Sequence, residues 1–414
     1  MTRLFKFALV LCLLAHPLTG IAQTRFLGFF MEEDLDRVTI PFEVLANLII
    51  IEVTLNDQLP LKFVLDTGVR TPILTDKYLS DIVRVSYDRE VEIFSAGAQG
   101  KAVAYIANDV ALSIPGIRAA DQDIYVLKED FLGLTEVLGE RVHGLIGFDF
   151  FKNFVVRIDY RDKEITFYRP GTHRVSVFDE VYPISIEESK AYLQAEITYA
   201  DGTQKQVKLL VDTGASHALW LDPPEDSTVT ILPETVFATP VGRALSGEIE
   251  GHLGRIPSFT LQKNTFNEVL TSFPNRNEYL DIVKSTGRDG SLGSEILRRF
   301  EVTFDYPNES IYFSRNVDYG DPFQYNMSGL SIIRNVKTDL PSYLVENVVE
   351  NSPASEVDIR EGDEILRVNG LSREDISLNQ INFLLKSREG KRIRLVIRRD
   401  GETIKKEFRL KSLI

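Results

Sequence analysis

The sequence predicts a mainly β protein with two related lobes, followed by a smaller α+β unit. Three observations lead to this expectation: short β-rich runs separated by turn residues, an internal repeat, and a polar, turn-rich stretch that precedes a third unit. The chain has 414 residues, of which 43% are hydrophobic and 26% charged. That length and composition suit two or three domains with ordinary cores.

The repeat is anchored by the tripeptide Asp-Thr-Gly, which begins at Asp66 and again at Asp212, 146 residues later (212 − 66). The same offset carries HGLIG at 143–147 onto DGSLG at 289–293, and the later motif IDY onto FDY. Several landmarks at one spacing indicate an internal duplication of roughly domain size. The first part of the chain is therefore expected to hold two equivalent halves.

Each half contains a pair of β-rich runs whose second strand ends in Asp-Thr-Gly. The runs join at residues 56–57 in the first half and at the clearer Asp-Gly turn of residues 201–202 in the second. Because the landmarks recur at one offset, we expect one lobe over residues 23–175 and the other over 176–315.

A third unit follows a polar linker predicted over residues 316–328. We expect residues 329–414 to form it, with strands and one helix from about 378 to 387. Ser377 and Gln380 have the spacing of a capping box at the start of that helix. The mixture of strands and one amphipathic helix predicts an α+β domain.

Residues 1–22 have the pattern of a signal peptide. Arg3 and Lys6 precede the apolar run 7–15, and a small-x-small cleavage site follows. We therefore expect an exported protein, periplasmic or extracellular after cleavage. The only cysteine, Cys12, lies within this segment, so the mature chain would have no disulfide and no cysteine metal site.

The formal charge of −14 argues against a nucleic-acid partner, because phosphate binding needs cations. No later apolar run reaches the roughly 18 residues needed to span a bilayer. The sequence also lacks the zinc-protease pattern His-Glu-x-x-His, the serine-hydrolase pattern Gly-x-Ser-x-Gly and a phosphate-binding loop. We therefore expect no metal, no cofactor, no nucleic acid and no transmembrane segment.

Two Asp-Thr-Gly turns in equivalent halves suit acid–base chemistry. A pseudo-twofold axis would bring Asp66 and Asp212 together, and carboxylates about 3 Å apart share one proton. The ionised member can take a proton from water while the protonated member hydrogen-bonds a substrate carbonyl. A single copy would favour the simpler interpretation of a turn that holds a strand end, whereas the duplication favours an active site.

The motifs VLDTG with GLIG, and LVDTG with GSLG, resemble the paired active-site motifs of aspartic proteases, closest to the bacterial retropepsin-like group fused to a PDZ domain. The resemblance implies a two-lobed retropepsin/pepsin-like acid protease β-barrel fold that carries both half-sites in one, monomer-competent chain. It implies Asp66 and Asp212 as the catalytic pair. The residues that it implies as supports of the active-site loops are Thr67, Gly68, Thr213, Gly214, Gly147 and Gly293.

Two further features bear on this site. The first copy reads DTGVR, where the family usually has Ala or Ser after Gly, and Arg70 would bring a cation near the pair that lowers its pKa. The hairpin-like segments 91–106 and 239–254 occupy equivalent places between each Asp and its later Gly motif. They would be substrate-covering flaps or, alternatively, ordinary surface hairpins.

The sequence GDEILRVNG at 362–370 resembles a PDZ domain, which implies binding of a peptide C-terminus. The alternative is a structural cap with an empty groove. For the whole chain we expect an aspartic endopeptidase with a PDZ domain for recognition or regulation; the alternative is a non-catalytic peptide-binding or scaffold protein. The carboxylate-binding loop implied by the resemblance consists of Ser328, Gly329, Leu330 and Ser331.

Overall fold

The structure is a computed structural model that describes residues 28–32, 34–222, 236–284, 286–338 and 340–414. The predicted signal peptide and Cys12 lie outside these residues. The described chain is mainly β and consists of two lobes and a C-terminal domain, as the sequence predicted.

The first lobe is built almost entirely from strands, with three short helices. Its helices are α1 (Lys77–Ile82), α2 (Leu134–Leu138) and α3 (Phe148–Lys152). Its strands are β1 (Phe30–Met31), β2 (Arg37–Pro41), β3 (Glu43–Leu45), β4 (Leu48–Leu55), β5 (Leu59–Leu65), β6 (Ile73–Leu74), β7 (Tyr87–Phe94), β8 (Lys101–Ile114), β9 (Ile117–Leu127), β10 (Gly144–Ile146), β11 (Val155–Asp159) and β12 (Glu164–Tyr168).

The second lobe repeats this plan. Its helices are α4 (Glu278–Lys284) and α5 (Ser294–Leu297), with a 3₁₀ turn at Tyr306–Asn308. Its strands are β13 (Glu180–Pro183), β14 (Ser185–Glu187), β15 (Lys190–Thr198), β16 (Gln204–Asp212), β17 (Leu219–Leu221), β18 (Val236–Ala244), β19 (Gly247–Leu261), β20 (Asn264–Pro274), β21 (Gly290–Gly293), β22 (Phe300–Asp305) and β23 (Ser310–Arg315).

The two lobes share a six-stranded sheet in the order β13-β23-β22-β11-β12-β2, with three strands from each lobe. Its central pair, β11 and β22, is antiparallel, and Arg157 lies opposite Thr303. These two positions are 146 residues apart (303 − 157), the same offset that relates the Asp-Thr-Gly motifs. The pseudo-twofold axis of the duplication therefore passes between them.

The predicted hairpins deliver both Asp-Thr-Gly motifs. β4 and β5 turn at Asn56 and Asp57, both in the left-handed region, and β15 and β16 turn at 201–202. Each second strand then pairs in parallel with the strand of the later Gly motif, so that Leu65 lies opposite Ile146 and its counterpart Val211 opposite Leu292. This register brings the Gly motifs beside the aspartates.

One continuous apolar core runs through both lobes. The segment predicted as a linker, 316–328, contributes to this core, because Phe323 is buried within it. The Arg299 guanidinium, fully buried, stacks 4.0 Å above the Phe323 ring and donates to the carbonyl of Asp321. The segment is irregular in structure but packed against the second lobe.

The C-terminal domain has its own apolar core. Its elements are β24 (Leu330–Arg334), β25 (Tyr343–Val348), α6 (Pro353–Glu356), β26 (Glu364–Val368), β27 (Leu371–Ser372), α7 (Leu378–Leu385), β28 (Arg392–Arg399) and β29 (Glu402–Arg409). The strand order is β24-β25-β26-β28-β29, with β27 beside β26. The Ser377 hydroxyl accepts a hydrogen bond from the Gln380 N–H, and the Gln380 side chain accepts from the Ser377 N–H, which completes the predicted capping box of α7.

Candidate active site

The structure brings the two predicted aspartates together at the centre of the lobe pair. Asp66 follows β5, Asp212 ends β16, and their carboxyl groups are hydrogen-bonded to each other. Each is also held by its own turn: the Gly68 N–H donates to Asp66 Oδ1 at 2.7 Å, and the Gly214 N–H donates to Asp212 Oδ1 at 3.0 Å. The two half-sites therefore have the same local geometry.

The two threonines cross-link the lobes directly behind the aspartates. The Thr67 hydroxyl accepts from the Thr213 N–H at 3.0 Å and donates to the carbonyl of Val211 at 2.6 Å. Symmetrically, the Thr213 hydroxyl accepts from the Thr67 N–H at 3.0 Å and donates to the carbonyl of Leu65 at 2.7 Å. Both side chains are fully buried, so this network is shielded from water and holds the carboxylates in a fixed relation.

Glycine is required where the loops cross. A Cβ added at Gly147 would overlap the backbone carbonyl of Asp66, and one at Gly293 would overlap that of His217. A Cβ added at Gly214 would overlap the carboxyl group of Asp66. Only glycine, which has no Cβ, allows such close approach. The three glycines therefore determine how closely the neighbouring backbone packs against the two aspartate loops.

The surroundings favour a pair that retains one proton. Burial raises the pKa of Asp66 well above its ordinary range, and the adjacent charge of Asp212 raises it further. Burial also raises the pKa of Asp212, but the charges of Arg288 and Lys190 lower it. The two groups titrate as a unit, and the cations favour ionisation on the Asp212 side.

The cations that act on the pair come from the second lobe. Lys190 begins β15 and Asp212 ends β16, and these two strands are antiparallel neighbours. Arg70, which the sequence suggested for this role, is exposed. Burial raises the pKa of Asp149, and the charges of Lys152 and Arg70 oppose that rise.

Comparing the two lobes at the repeat offset would have identified one of these cations. Arg288 corresponds to position 142 (288 − 146), where the first lobe has the buried Val142. Arg288 also forms an ion pair with Asp222 at 3.2 Å, which fixes its guanidinium beside the second loop. The site is therefore symmetric in its backbone and asymmetric in its charge.

His217, five residues after Asp212, packs inside the second lobe. Its Nε2 lies 3.0 Å from the Ser291 hydroxyl, and its ring centre lies 5.7 Å from that of Trp220. Burial lowers the pKa of His217 to about 3. A neutral, packed imidazole in this position supports the second Asp loop.

The two segments predicted as flaps are hairpins whose tips meet. The Ala98 N–H donates to the carbonyl of Glu248 at 2.9 Å, and the Gln99 N–H donates to that of Ser246 at 3.0 Å. The side chain of Asn277 donates to the carbonyl of Ala96 at 3.2 Å. The lobes are thus joined at the flap tips as well as at the threonine network.

The loop expected to bind a peptide carboxylate follows Met327 and includes the first two residues of β24. The Ser328 hydroxyl donates to Asn326 Oδ1 at 2.6 Å and accepts from the Leu330 N–H at 3.1 Å. Gly329 has a φ of 78°, and its carbonyl accepts from the Val349 N–H. A carboxylate at the Leu330 N–H would therefore have to replace the Ser328 hydroxyl.

The fold and the paired Asp-Thr-Gly turns define a two-lobed architecture of the aspartic-protease type with an appended domain. Residues 51–150 match the family model described as aspartyl protease, and residues 344–399 match that described as PDZ domain. No curated protein matches the chain. These two matches agree with the protease-plus-PDZ architecture that the sequence predicted.

The protease match covers the first lobe only, and the second lobe is related to it by the internal offset of 146 residues. No helix within the described residues is long and apolar enough to cross a membrane. The same residues contain no group of three or more His, Cys, Asp or Glu side chains arranged to hold a metal ion.

Proposed function

We propose that this protein is an aspartic endopeptidase that hydrolyses peptide bonds with a water activated by Asp66 and Asp212. The observation that carries the proposal is the hydrogen-bonded carboxyl pair, held by equivalent turns and cross-linked through Thr67 and Thr213. A structural turn needs no such partner, whereas acid–base hydrolysis needs two carboxyl groups in different protonation states.

The charge asymmetry supports an assignment of roles. Asp66 holds the shared proton and Asp212, nearer the cations, is the ionised base. Asp212 takes a proton from the attacking water while Asp66 donates its proton to the carbonyl oxygen, which gives a tetrahedral diol. When the C–N bond breaks, Asp212 passes its proton to the leaving nitrogen and Asp66 regains one from a diol hydroxyl. No covalent intermediate forms.

The PDZ domain is proposed to bind the C-terminus of a substrate or regulator through the loop Ser328–Ser331 and the groove between β24 and α7. We further propose that one chain suffices for activity and that it acts in the periplasm or outside the cell, since residues 1–22 have the pattern of a signal peptide. Sequencing the N-terminus of the protein recovered from each cell fraction tests export.

A second candidate, a non-catalytic peptide-binding protein, is favoured by one observation. The flap tips are hydrogen-bonded to each other, so a peptide could pass between them only if they separate. In that case the PDZ groove alone would carry the function, and substitution of either aspartate would leave the function unchanged.

The test is cleavage of a mixed peptide library by the mature chain between about pH 3 and 7, read by mass spectrometry. Asp66→Asn and Asp212→Asn should each abolish cleavage. Asp149→Asn is the matched control, because this carboxyl group is also partly buried and lies two residues after Gly147 but outside the pair. Equal cleavage by all variants would exclude the dyad, and intact peptides in every sample would favour the second candidate.

A further inference from the structure

The PDZ domain is docked on the protease at the place where a peptide ligand would lie. Its β24 is an edge strand, paired with β25 only among the described strands, and α2 of the first lobe packs against it. We call residues 134–139, which comprise α2 and Gly139, the docking segment. Peptide ligands of PDZ domains add along this edge, between the strand and the helix.

The docking segment fills one end of that groove. At the other end, beside the carboxylate-binding loop, the Met327 N–H donates to the carbonyl of Leu385 at the end of α7. At the filled end, Arg334 Nη1 donates to the carbonyl of Gly139 at 2.9 Å, and a Cβ on Gly139 would lie 2.6 Å from that of Leu378. Gly139 therefore lies against both the end of β24 and the start of α7.

A second hydrogen bond reinforces this docking. Asn379 Oδ1, in the first turn of α7, accepts from the backbone N–H of Ala46 at 3.3 Å. Both contacts occupy the end of the groove where the residues upstream of a peptide C-terminus would run. A ligand of more than a few residues and the docking segment therefore require the same space.

The docked domain also holds a flap. Arg243, on β18 of the second flap, pairs with Glu248 at 3.2 Å and with Glu346 on β25 of the PDZ domain. Both members of the interdomain pair are partly buried, with side chains 23% and 26% exposed. A Cβ on Gly133 would lie 2.9 Å from Arg243 Nη1, so the flap, the PDZ domain and the start of the docking segment meet at this guanidinium.

The neighbouring residue Glu248 ties this ion pair to the closed flap tips. Its side chain pairs with Arg243, and its backbone carbonyl accepts the Ala98 N–H of the opposite flap. Loss of the Glu346 contact would leave Arg243 held within its own hairpin only. The arrangement of the flap tips is therefore connected, through two residues, to the position of the PDZ domain.

We propose that a peptide with a free, apolar C-terminus competes with the docking segment for the β24–α7 groove, and that its binding breaks the Arg243–Glu346 pair and releases the second flap. An apolar C-terminus suits this position because Leu378, Ile381 and Leu385 of α7 belong to the same apolar core as Leu330 and Ile332 of β24. That release of the flap admits a substrate rests on the proposed protease function. The competition between the peptide and the docking segment does not depend on it. Ligand binding and docking are reciprocally linked, so each weakens the other by the same factor.

The test follows hydrogen–deuterium exchange in the full mature chain, with decapeptides that end in free Val, Leu or Phe and the same peptides amidated. The free acids should increase exchange at Ala98 and Gln99, whose amides bond the opposite flap, and the amidated peptides should not. Arg243→Ala should show increased exchange without peptide and bind the free acids about fivefold more tightly. Arg118→Ala, which removes an exposed ion pair with Asp57, is the matched control and should change neither.

Charge reversal tests whether the flap tips open because the Arg243–Glu346 pair is lost or because the variant is generally destabilised. Arg243→Glu should open the flap tips, and Arg243→Glu combined with Glu346→Arg should restore their protection. If circular dichroism shows that the Arg243 variants do not fold, Glu346→Gln tests the same contact from the PDZ side. Peptide binding that leaves exchange at Ala98 and Gln99 unchanged, or equal affinity in the wild type and Arg243→Ala, would overturn the inference.

The exchange measurement does not depend on proteolysis, so the two proposals fail separately. A flap response to free-acid peptides in a protein that cleaves no library peptide would refute the protease and support the competition. Cleavage that requires both aspartates, with no response of the flap tips or of the rate to free-acid peptides, would support the protease and refute the competition.

Discussion

Thr67 and Thr213 each accept a hydrogen bond from the other's backbone N–H, both at 3.0 Å, across the boundary between the lobes. Because both hydroxyls also donate to carbonyls of the opposite lobe, neither has an unused proton. Four buried hydrogen bonds thus depend on two side chains. The positions of the carboxylates rest on this contact.

Thr213→Ala should therefore destabilise the protein and abolish cleavage. It would leave the Leu65 carbonyl and the Thr67 N–H buried without their partners, which costs about 1–3 kcal/mol for each group. Urea denaturation gives the change in free energy of unfolding. Thr213→Ser keeps the hydroxyl and should lose much less stability; equal losses in the two variants would mean that methyl packing, and not hydrogen bonding, holds the lobes together.

The pH dependence of cleavage should respond to Lys190. Its charge lowers the pKa of Asp212, so Lys190→Met should raise that pKa and move the acidic limb of the kcat/KM profile to higher pH. Lys205→Met is the control, because Lys205 lies on the neighbouring strand and pairs with Asp289. This variant should leave the acidic limb of the kcat/KM profile at the wild-type pH. A limb that stays fixed in Lys190→Met would show that this cation does not act on the pair.

The raised pKa of Asp66 also has a consequence for stability. A carboxyl group whose pKa is higher in the folded state binds its proton more tightly there, so stability falls as pH rises above the ordinary Asp value of 3.8. Asp66→Asn cannot ionise and escapes this loss. Its Tm relative to the wild type should therefore be higher at pH 7 than at pH 3. Asp162→Asn, at an exposed turn, should show no such trend; a larger relative gain at pH 3 would reverse the assigned direction.

Local sequence signals predicted much of the fold because short-range interactions determine those elements. The left-handed turn at Asn56 and Asp57 and the capping box of Ser377 and Gln380 form between residues close in the chain. The repeat then supplied the long-range information, since equivalent halves must place Asp66 near Asp212 if the lobes pair through a twofold axis. That step needed no side-chain detail.

Other parts of the site could not be predicted because no local pattern encodes them. Lys190 lies near the pair because β15 and β16 are neighbouring strands, and Arg288 belongs to no local motif, so only its difference from Val142 at the repeat offset distinguishes it. The contact of Gly139 with Leu378 joins separate domains whose individual patterns are already complete. Such contacts depend on how folded domains pack against each other, and hydrophobic periodicity does not specify that packing.

Gly147 offers the sharpest test of how tightly the first loop is packed. A Cβ at this position would overlap the carbonyl of Asp66, and because that atom belongs to the backbone, relief requires movement of the catalytic loop itself. Gly147→Ala should lower the free energy of unfolding by about 3 kcal/mol and remove cleavage. Gly320→Ala is the matched control, since no atom lies within 4 Å of a Cβ at that position and both changes add one methyl group. Equal stability and activity of the two variants would mean that the first loop can accommodate a Cβ at position 147. Steric conflict with the Asp66 carbonyl would then not be the reason for glycine there.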